Sequence, residues 1–230
     1  NLHGMHGATL EVIAPIGATL DALADGHAHR DVWDVSEARA ALRADFKAQD
    51  WGPDAVIETC RAVCPPGTVA TADSGAHRIL LSQMWECDGP RQLLQSSGLC
   101  TMGCALPLAI GAKRAAPARP VVGFMGDAGF LMVTGELASA ASLGLPVVFV
   151  VFVDRSLALI ELKQRQRQMK NAGVDFDRHD IAAVGRAFGG HGVTVSDRAA
   201  LRMAMEEALA ADTFTVIAAE IDRKAYDGRI

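Results

Sequence analysis

The sequence has few of the features that mark nucleic-acid-binding or membrane proteins. Aromatic residues make up 5% of the 230 residues, with one Tyr and three Trp, and the formal net charge is −5. Because Lys and Arg are scattered, the chain offers nucleic acid neither a basic stripe nor a set of stacking rings. The longest apolar run, Leu145 to Val153, is far shorter than the ~20 residues that cross a bilayer. We therefore expect neither nucleic acid nor a membrane as a partner.

Cysteine is scarce and shows no zinc-ligand or disulfide pattern. The sequence has five cysteines, an odd number, and the pairs Cys60/Cys64 and Cys100/Cys104 are spaced i,i+4 inside segments with helical patterning. The C-x-x-C spacing that is typical of zinc and redox sites does not occur. We interpret the cysteines as reduced core thiols of a cytoplasmic protein, with metal binding or redox chemistry as the alternative.

From about residue 51 onward, apolar segments of strand length alternate with segments of helix length. Strands are predicted to end at Asp73, Asp127 and Asp154, and "FTVIAAEID" is predicted as the last strand. The predicted helices cover residues 53–63, 103–115, 130–143, 157–169 and 180–188, followed by a long helix that Ser196 opens. Because the strands are apolar on both faces, we predict the α/β class, with a parallel β-sheet and helices on both faces.

Asp127 and Asp154 lie at the two ends of one strand–helix–strand crossover. Ligands of such sheets bind beyond the carboxyl ends of the strands, where these two side chains should converge. Carboxylates ~5 Å apart repel each other unless a cation lies between them, and oxygen ligands suit Mg²⁺ or Ca²⁺. The segment Ala128-Gly129 opens a helix, whose free N–H groups favour an anion. A cation beside the start of an anion-binding helix would form a binding site for a diphosphate. The alternative is that each aspartate only caps a helix or starts a turn.

This region resembles the thiamine-diphosphate (ThDP) enzymes, and within them the acetolactate-synthase-like group. In that family a Gly-Asp-Gly motif is followed by an Asn or Asp, and here Asp154 follows Asp127 of "GDAG" by 27 positions. The resemblance implies that Asp127, Asp154 and the backbone carbonyl of Ser156 hold Mg²⁺. It further implies that the coenzyme's diphosphate lies beside the Mg²⁺ and the segment Gly126, Asp127, Ala128 and Gly129. Ala128 departs from the family's glycine, and a positive φ there would strain the backbone.

A second segment, "QSSGLCTMGCALPLAIGAKRA", is similar to the family's S-G-G-L-G-x-M-G-x-x-L-P-x-A-I-G-A. The resemblance implies that Met102 bends the coenzyme, so that its 4′-imino nitrogen meets the proton on thiazolium C2. It also implies that the backbone carbonyl of Cys100 accepts a hydrogen bond from the 4′-amino group. Cys100 and Met102 are thus predicted to be catalytic; an ordinary core methionine is the alternative for Met102.

A third segment, "TADSGAHRILLSQMW", is similar to the family's strand and loop that cover the diphosphate. It implies that Ser74, Gly75, Ala76 and His77 lie near the phosphates. His77 would donate a hydrogen bond to a phosphate oxygen, and a solvated loop histidine is the alternative.

The helix after the metal ligands is expected to face the substrate. By the resemblance, Leu159, Ile160 and Lys163 correspond to positions along the substrate channel of acetolactate synthases. A cation at position 163 fits a carboxylate, a sulfonate or a phosphonate, whereas a solvated helix face is the alternative for Lys163.

The first 48 residues differ from the rest. The stretch "LEVIAPIGATLDALAD" resembles the closing strand and helix of the family's middle domain, and "RDVWDVSEARAALRADFKAQD" resembles its linker. We therefore expect residues 1–48 to be the tail of a middle domain with a linker, and residues 49–230 to be the diphosphate-binding (PP) domain. The family's activating glutamate comes from a first domain and has no counterpart here, so this chain alone should bind ThDP weakly and catalyse little.

The resemblance implies a ThDP-dependent lyase or transferase, that is, a 2-oxo acid decarboxylase or carboligase that works as a homo-oligomeric dimer or tetramer. One alternative is a subunit of a heteromeric decarboxylase of the sulfopyruvate or phosphonopyruvate type. The other is a non-catalytic nucleotide-binding α/β module, although the sequence has neither G-x-G-x-x-G nor G-K-[ST]. The choice of 2-oxo acid and the presence of FAD in the middle domain stay open.

Overall fold

The computed structural model describes residues 9–25, 34–45 and 50–230. The chain divides into two compact units, Asn1–Asp45 and Phe46–Ile230. The first unit contains the helices α1 (Ile16–Ala24) and α2 (Ser36–Asp45). The strand that we predict before α1 is wrong, since residues 9–15 are irregular and the described part of this unit has no other strand to pair with them. Residues 30–33 and 46–49 of the predicted linker lie outside the described residues.

The second unit is built on a six-stranded sheet in which every neighbouring pair of strands is parallel. Across the sheet the strands are ordered β2-β1-β3-β4-β6-β5. In chain order they are β1 (Val69–Ala72), β2 (Leu93–Gln95), β3 (Val121–Gly126), β4 (Val148–Val153), β5 (His191–Val195) and β6 (Thr215–Glu220). The predicted α/β class with a parallel sheet is confirmed.

Helices cover both faces of this sheet. One face carries α3 (Pro53–Val63), α4 (Ala76–Met84) and α10 (Arg198–Ala210), and the other carries α5 (Ala105–Ala115), α6 (Asp127–Met132), α7 (Leu137–Ser142) and α9 (Ile181–Ala187). A further helix, α8 (Ala158–Gln166), follows β4. Among the described residues, no helix combines the length and the apolar composition needed to cross a bilayer.

The centre of the sheet is apolar on both sides. Along β4, Val148, Val150 and Phe152 pack into the core on the α3/α4/α10 face. The alternate residues Phe149 and Val151 pack into the core on the opposite face. Each strand residue therefore contributes to one of two cores, which is why the strands are apolar runs rather than alternating patterns.

The predicted helix over residues 130–143 differs from the observed one. Helix α6 already begins at Asp127, and Val133 leaves the helical region with φ −132°, so a short 3₁₀ turn separates α6 from α7. The β-branched Val133 and Thr134, followed by Gly135, favour this interruption. Ala128 lies in the first turn of α6 and is not among the residues with positive φ, so the strain that we expected there is absent.

The cysteine prediction is half right. Cys60 lies in α3 and Cys64 follows it directly, and both are buried free thiols. Cys100 and Cys104 lie before α5 rather than inside a helix, because Gly103 with φ +80° interrupts the helical path. Cys87 is exposed and Cys100 and Cys104 are partly exposed, so the prediction of core thiols is wrong for these three.

Candidate functional site

Three aspartates directly follow three neighbouring strands. Asp73 follows β1, Asp127 follows β3 and Asp154 follows β4, and these strands are adjacent in the order β1-β3-β4. Because the strands are parallel, their carboxyl ends form one edge of the sheet, and all three side chains lie along it.

Asp127 connects the ends of β3 and β4. Its Oδ1 accepts a hydrogen bond from the N–H of Ala128 at 2.8 Å, and its Oδ2 accepts one from the N–H of Arg155 at 2.8 Å. On the neighbouring strand, Asp154 Oδ1 accepts a hydrogen bond from the N–H of Ser156 at 2.9 Å. The predicted pair of carboxylates is thus held at the ends of two adjacent strands by backbone donors.

Burial disfavours the ionisation of both carboxylates, and the charge of Asp127 adds to this effect at Asp154. Burial raises the pKa of Asp154 to about 8, with the charge of Asp127 as the second cause, while the N–H of Ser156 and the charge of Arg223 oppose the rise. Burial also raises the pKa of Asp127, against the hydrogen bonds that it accepts from the backbone, of which that from Arg155 is the strongest. A divalent cation that both carboxylates coordinate would relieve this unfavourable interaction.

The backbone of Ser156 is oriented toward the same place. Ser156 forms an antiparallel bridge with Asp175, and the bonds on either side of it run from Leu157 N to Val174 O at 2.8 Å and from Phe176 N to Arg155 O at 3.3 Å. In this pattern the N–H and C=O of Ser156 point away from Asp175. The N–H donates to Asp154 Oδ1, and a carbonyl on that same side is what the predicted third metal ligand requires.

The donor set suits an oxygen-seeking cation. Among the residues that the structure describes, no group of three or more His, Cys, Asp and Glu side chains could hold a metal ion. The set predicted here consists of two carboxylates and one backbone carbonyl. Mg²⁺ commonly combines one or two protein carboxylates with phosphate and water oxygens, so these residues fit it.

His77 is buried rather than solvated. It lies in the first turn of α4, where we predicted a loop, and it stacks on Phe152 with ring centroids 5.2 Å apart. Its Nε2 donates to Asp73 Oδ1 at 2.8 Å. Its Nδ1 lies beside Gly75, since a Cβ built there would come within 2.7 Å of it. The predicted hydrogen bond to a phosphate would therefore have to come from Nδ1, which can donate only when both ring nitrogens carry a proton.

The segment before α4 lies at the same edge of the sheet. Ser74 and Gly75 are partly exposed, and α4 begins at Ala76 after Gly75, whose residue type offers no side chain to cap the first N–H groups. The predicted diphosphate-binding residues of this segment thus form the start of a helix, as those of α6 do.

The turn that carries Met102 packs against α6. Gly103 N donates to Asp73 Oδ2 at 2.6 Å, and a Cβ at Gly103 would lie 3.0 Å from Gly129 O. Met102 is partly buried, and Cys100, with φ +50°, accepts a hydrogen bond on Sγ from Arg78 Nη1 at 3.3 Å. The structure thereby brings the predicted catalytic segment next to the predicted diphosphate segment.

The three predicted substrate residues on α8 do not share one face. Ile160 is 46% exposed and Lys163 is also exposed, one turn further along the helix. Leu159 packs against the core on the α3/α4/α10 face. Only Ile160 and Lys163 are therefore placed to meet a ligand from solvent.

Sequence reasoning missed several residues around the carboxylates. Asp175 accepts hydrogen bonds from Ser156 Oγ at 3.5 Å and Asn171 Nδ2 at 2.5 Å, and it pairs with Arg223. Tyr226 is buried, and its pKa is raised by burial and by the charges of Asp154 and Asp127. The sequence contains no spacing that would have pointed to these residues.

The comparisons agree with this geometry. The profile of the family described as "Thiamine pyrophosphate enzyme, C-terminal TPP binding domain" matches residues 73–219. Acetolactate synthase of Bacillus subtilis (strain 168) is 29% identical over 224 residues, which are 93% of this chain and 39% of that protein. The large subunit of acetolactate synthase isozyme 3 of Escherichia coli (strain K12) is 31% identical over 185 residues, 78% of this chain and 32% of that one.

A solved structure is similar as well. Benzoylformate decarboxylase from Polynucleobacter necessarius superposes with a TM-score of 0.68 and 26% identity, covering 76% of this chain and 34% of that one. The chain thus spans between 32% and 39% of the length of these three relatives. Because the family match covers most of the second unit and more than half of the chain, the chain belongs to the thiamine pyrophosphate enzymes and carries their C-terminal TPP binding domain.

Proposed function

We propose that this chain is the coenzyme-binding part of a 2-oxo acid carboligase or decarboxylase that holds ThDP through Mg²⁺. The observation that carries the proposal is the pair of carboxylates at adjacent strand ends, of which Asp127 is buried and Asp154 half-buried. This pair has the oxygen donors and the excess negative charge that a divalent cation requires. Helix α6 starts beside it, and the free N–H groups at the start of a helix favour an anion.

Each part of the coenzyme has residues to hold it. Mg²⁺ would be bound by Asp127, Asp154 and the Ser156 carbonyl. The diphosphate would contact the backbone of Gly126, Ala128 and Gly129 at the start of α6 and of Ser74, Gly75, Ala76 and His77 at the start of α4. The bound coenzyme supplies an electron sink at its thiazolium ring, which protein side chains lack.

The remaining residues position and shield the reacting groups. Met102 would support the bent form of the coenzyme, and the Cys100 carbonyl would accept a hydrogen bond from its amino group and so keep the ring in one orientation. On α8, Ile160 provides an apolar wall and Lys163 a cation for the carboxylate of a 2-oxo acid or for a second acidic group of the substrate. Leu159 supports this helix from the core side.

The surface around the site supports a homo-oligomer. Leu99 is 91% exposed, Met132 63% and Ile160 46%, and they lie in the segments that follow β2, β3 and β4. Exposed apolar side chains around a polar site are typical of a surface that another domain or subunit covers. Because the relatives are much longer than this chain, we expect turnover only together with the part of the enzyme that carries the activating glutamate. All five cysteines are free, which fits the cytoplasm.

Titration calorimetry with ThDP tests the proposal. We expect the chain to bind ThDP in the presence of Mg²⁺ but not of EDTA, with weak affinity in the absence of the rest of the enzyme. Asp127→Asn and Asp154→Asn should each lower the affinity at least ~10-fold, since each removes a charged ligand. Asp212→Asn, which changes an exposed aspartate, is the matched control.

The same titration separates the alternatives. ADP with Mg²⁺ should give no binding heat. Binding of ADP without binding of ThDP would favour a nucleotide-binding module, and unchanged ThDP affinity in both carboxylate variants would contradict the metal site.

A further inference from the structure

Asp73 is a buried carboxylate that joins separate parts of the site. Its side chain has no solvent exposure. Oδ1 accepts a hydrogen bond from His77 Nε2 at 2.8 Å, and Oδ2 accepts one from Gly103 N at 2.6 Å. Each oxygen thus binds a different element, the first turn of α4 and the turn before α5. A carboxylate in this position is costly unless both partners are present.

Helix α6 meets the same carboxylate. A Cβ built at Gly129 would collide with Asp73 Oδ2 and would lie 3.1 Å from Gly103 N. Asp73, Gly103 and Gly129 therefore converge at one point, which has room for no side chain at either glycine. Gly103 has φ +80°, a conformation that glycine adopts without strain.

The two elements that meet there differ in how firmly they are held. The start of α6 has its own anchors, because Asp127 accepts hydrogen bonds from Ala128 N and Arg155 N. The turn next to Met102 is irregular, and its amide at Gly103 is bonded to Asp73. Loss of Asp73 should therefore release the turn and leave the start of α6 in place.

From these contacts we infer that Asp73 is a positioning residue, which fixes the Met102 turn against the start of α6. It would set the separation between the residue that bends the coenzyme and the residues that bind its diphosphate. The inference rests on the proposed function. It assigns a role to Asp73, for which neither the sequence pattern nor the comparisons indicate a role.

A comparison of two ligands tests this role. ThDP needs both the Met102 turn and the diphosphate site, whereas inorganic pyrophosphate with Mg²⁺ needs only the diphosphate site. Asp73→Asn should weaken ThDP binding ~10-fold, the effect of one lost hydrogen bond to a charged group. Pyrophosphate affinity should fall by a clearly smaller factor, about 2- to 3-fold, because the substitution also disturbs His77, which is proposed to contact the diphosphate. A merely structural role would weaken both ligands alike.

A double-mutant cycle with Met102→Ala shows whether Asp73 acts through Met102. Without the Met102 side chain, the position of the turn no longer matters for ThDP. In the Met102→Ala background, Asp73→Asn should therefore lower ThDP affinity by no more than it lowers pyrophosphate affinity. An equal loss in both backgrounds, or a parallel loss of pyrophosphate binding, would overturn the inference.

Gly103→Ala provides a second route if Asp73→Asn does not fold. It displaces the turn while it keeps the carboxylate, because the new Cβ would come within 2.9 Å of Val133. The same selective loss of ThDP affinity is expected. If the wild type binds neither ligand, the proposed function fails; if it binds ThDP and every variant binds it equally well, only the role of Asp73 fails.

Discussion

Replacing Asp154 with Asn is expected to stabilise the metal-free chain at alkaline pH. The carboxyl of Asp154 ionises near its ordinary value of 3.8 in the unfolded chain, but burial and the charge of Asp127 raise its pKa to about 8 in the folded protein. Folding therefore favours the protonated form. The stabilisation is fully present below pH 3.8 and is lost as the pH rises to about 8.

The size of the effect follows from this difference in pKa. One pKa unit corresponds to ~1.4 kcal/mol, so the wild type loses at most on the order of 5 kcal/mol across this pH range. Asn is neutral at every pH and its Oδ1 can keep the hydrogen bond from Ser156 N. At pH 9 the variant should melt about 10 °C above the wild type, and at pH 5 the difference should shrink to a few degrees.

Thermal unfolding in EDTA at the two pH values measures this change. Added Mg²⁺ should raise the melting temperature of the wild type at pH 9 and leave that of Asp154→Asn unchanged, because the variant lacks a ligand. Asp212→Asn, at an exposed position, should show no pH-dependent difference. If the two proteins differ by the same amount at pH 5 and pH 9, the electrostatic reasoning is refuted.

Two further substitutions probe the packing and the third metal ligand. Gly129→Ala should destabilise the chain by ~2–4 kcal/mol in urea unfolding, because its Cβ would collide with a buried carboxylate, whereas Gly135→Ala has open space around it and should be nearly neutral. Asp175→Ala should weaken Mg²⁺ binding several-fold in calorimetry, because it removes the hydrogen bond and the ion pair that hold the Ser156 segment. The control Asp177→Ala should leave Mg²⁺ binding unchanged. If the two variants of either pair have equal effects, the reasoning for that pair is contradicted.

The sequence predicted the central strands because their residues are buried on both sides. β3, β4 and β6 are continuous apolar runs. Because such runs alternate with segments of helical pattern, they can be recognised as strands from the sequence. β2 has three residues, and β5 is an edge strand with exposed side chains and a glycine, so neither produced an apolar run. Helix α4 could have been recognised, since Ala76, His77, Leu80 and Leu81 form a buried stripe with helical spacing.

The candidate site was partly predictable for a similar reason. Asp127 and Asp154 follow strands, and the ends of adjacent parallel strands must lie close together, so chain position alone brings them to one edge. The hydrogen bond from Gly103 N to Asp73 joins residues 30 positions apart, one just after β1 and the other just before α5. It forms only because β1 and α5 pack side by side. Sequence spacing contains no information about such a contact.

The chemistry of this domain is separable from its folding. Asp127 and Asp154 lie just past the ends of their strands and belong to neither apolar core. Replacing both acids by Asn, whose Oδ1 can keep one backbone hydrogen bond at each position, should therefore leave the two apolar cores in place. We therefore expect that substitutions at these two positions can change which ligand the carboxyl edge of the sheet accepts while the interior stays the same.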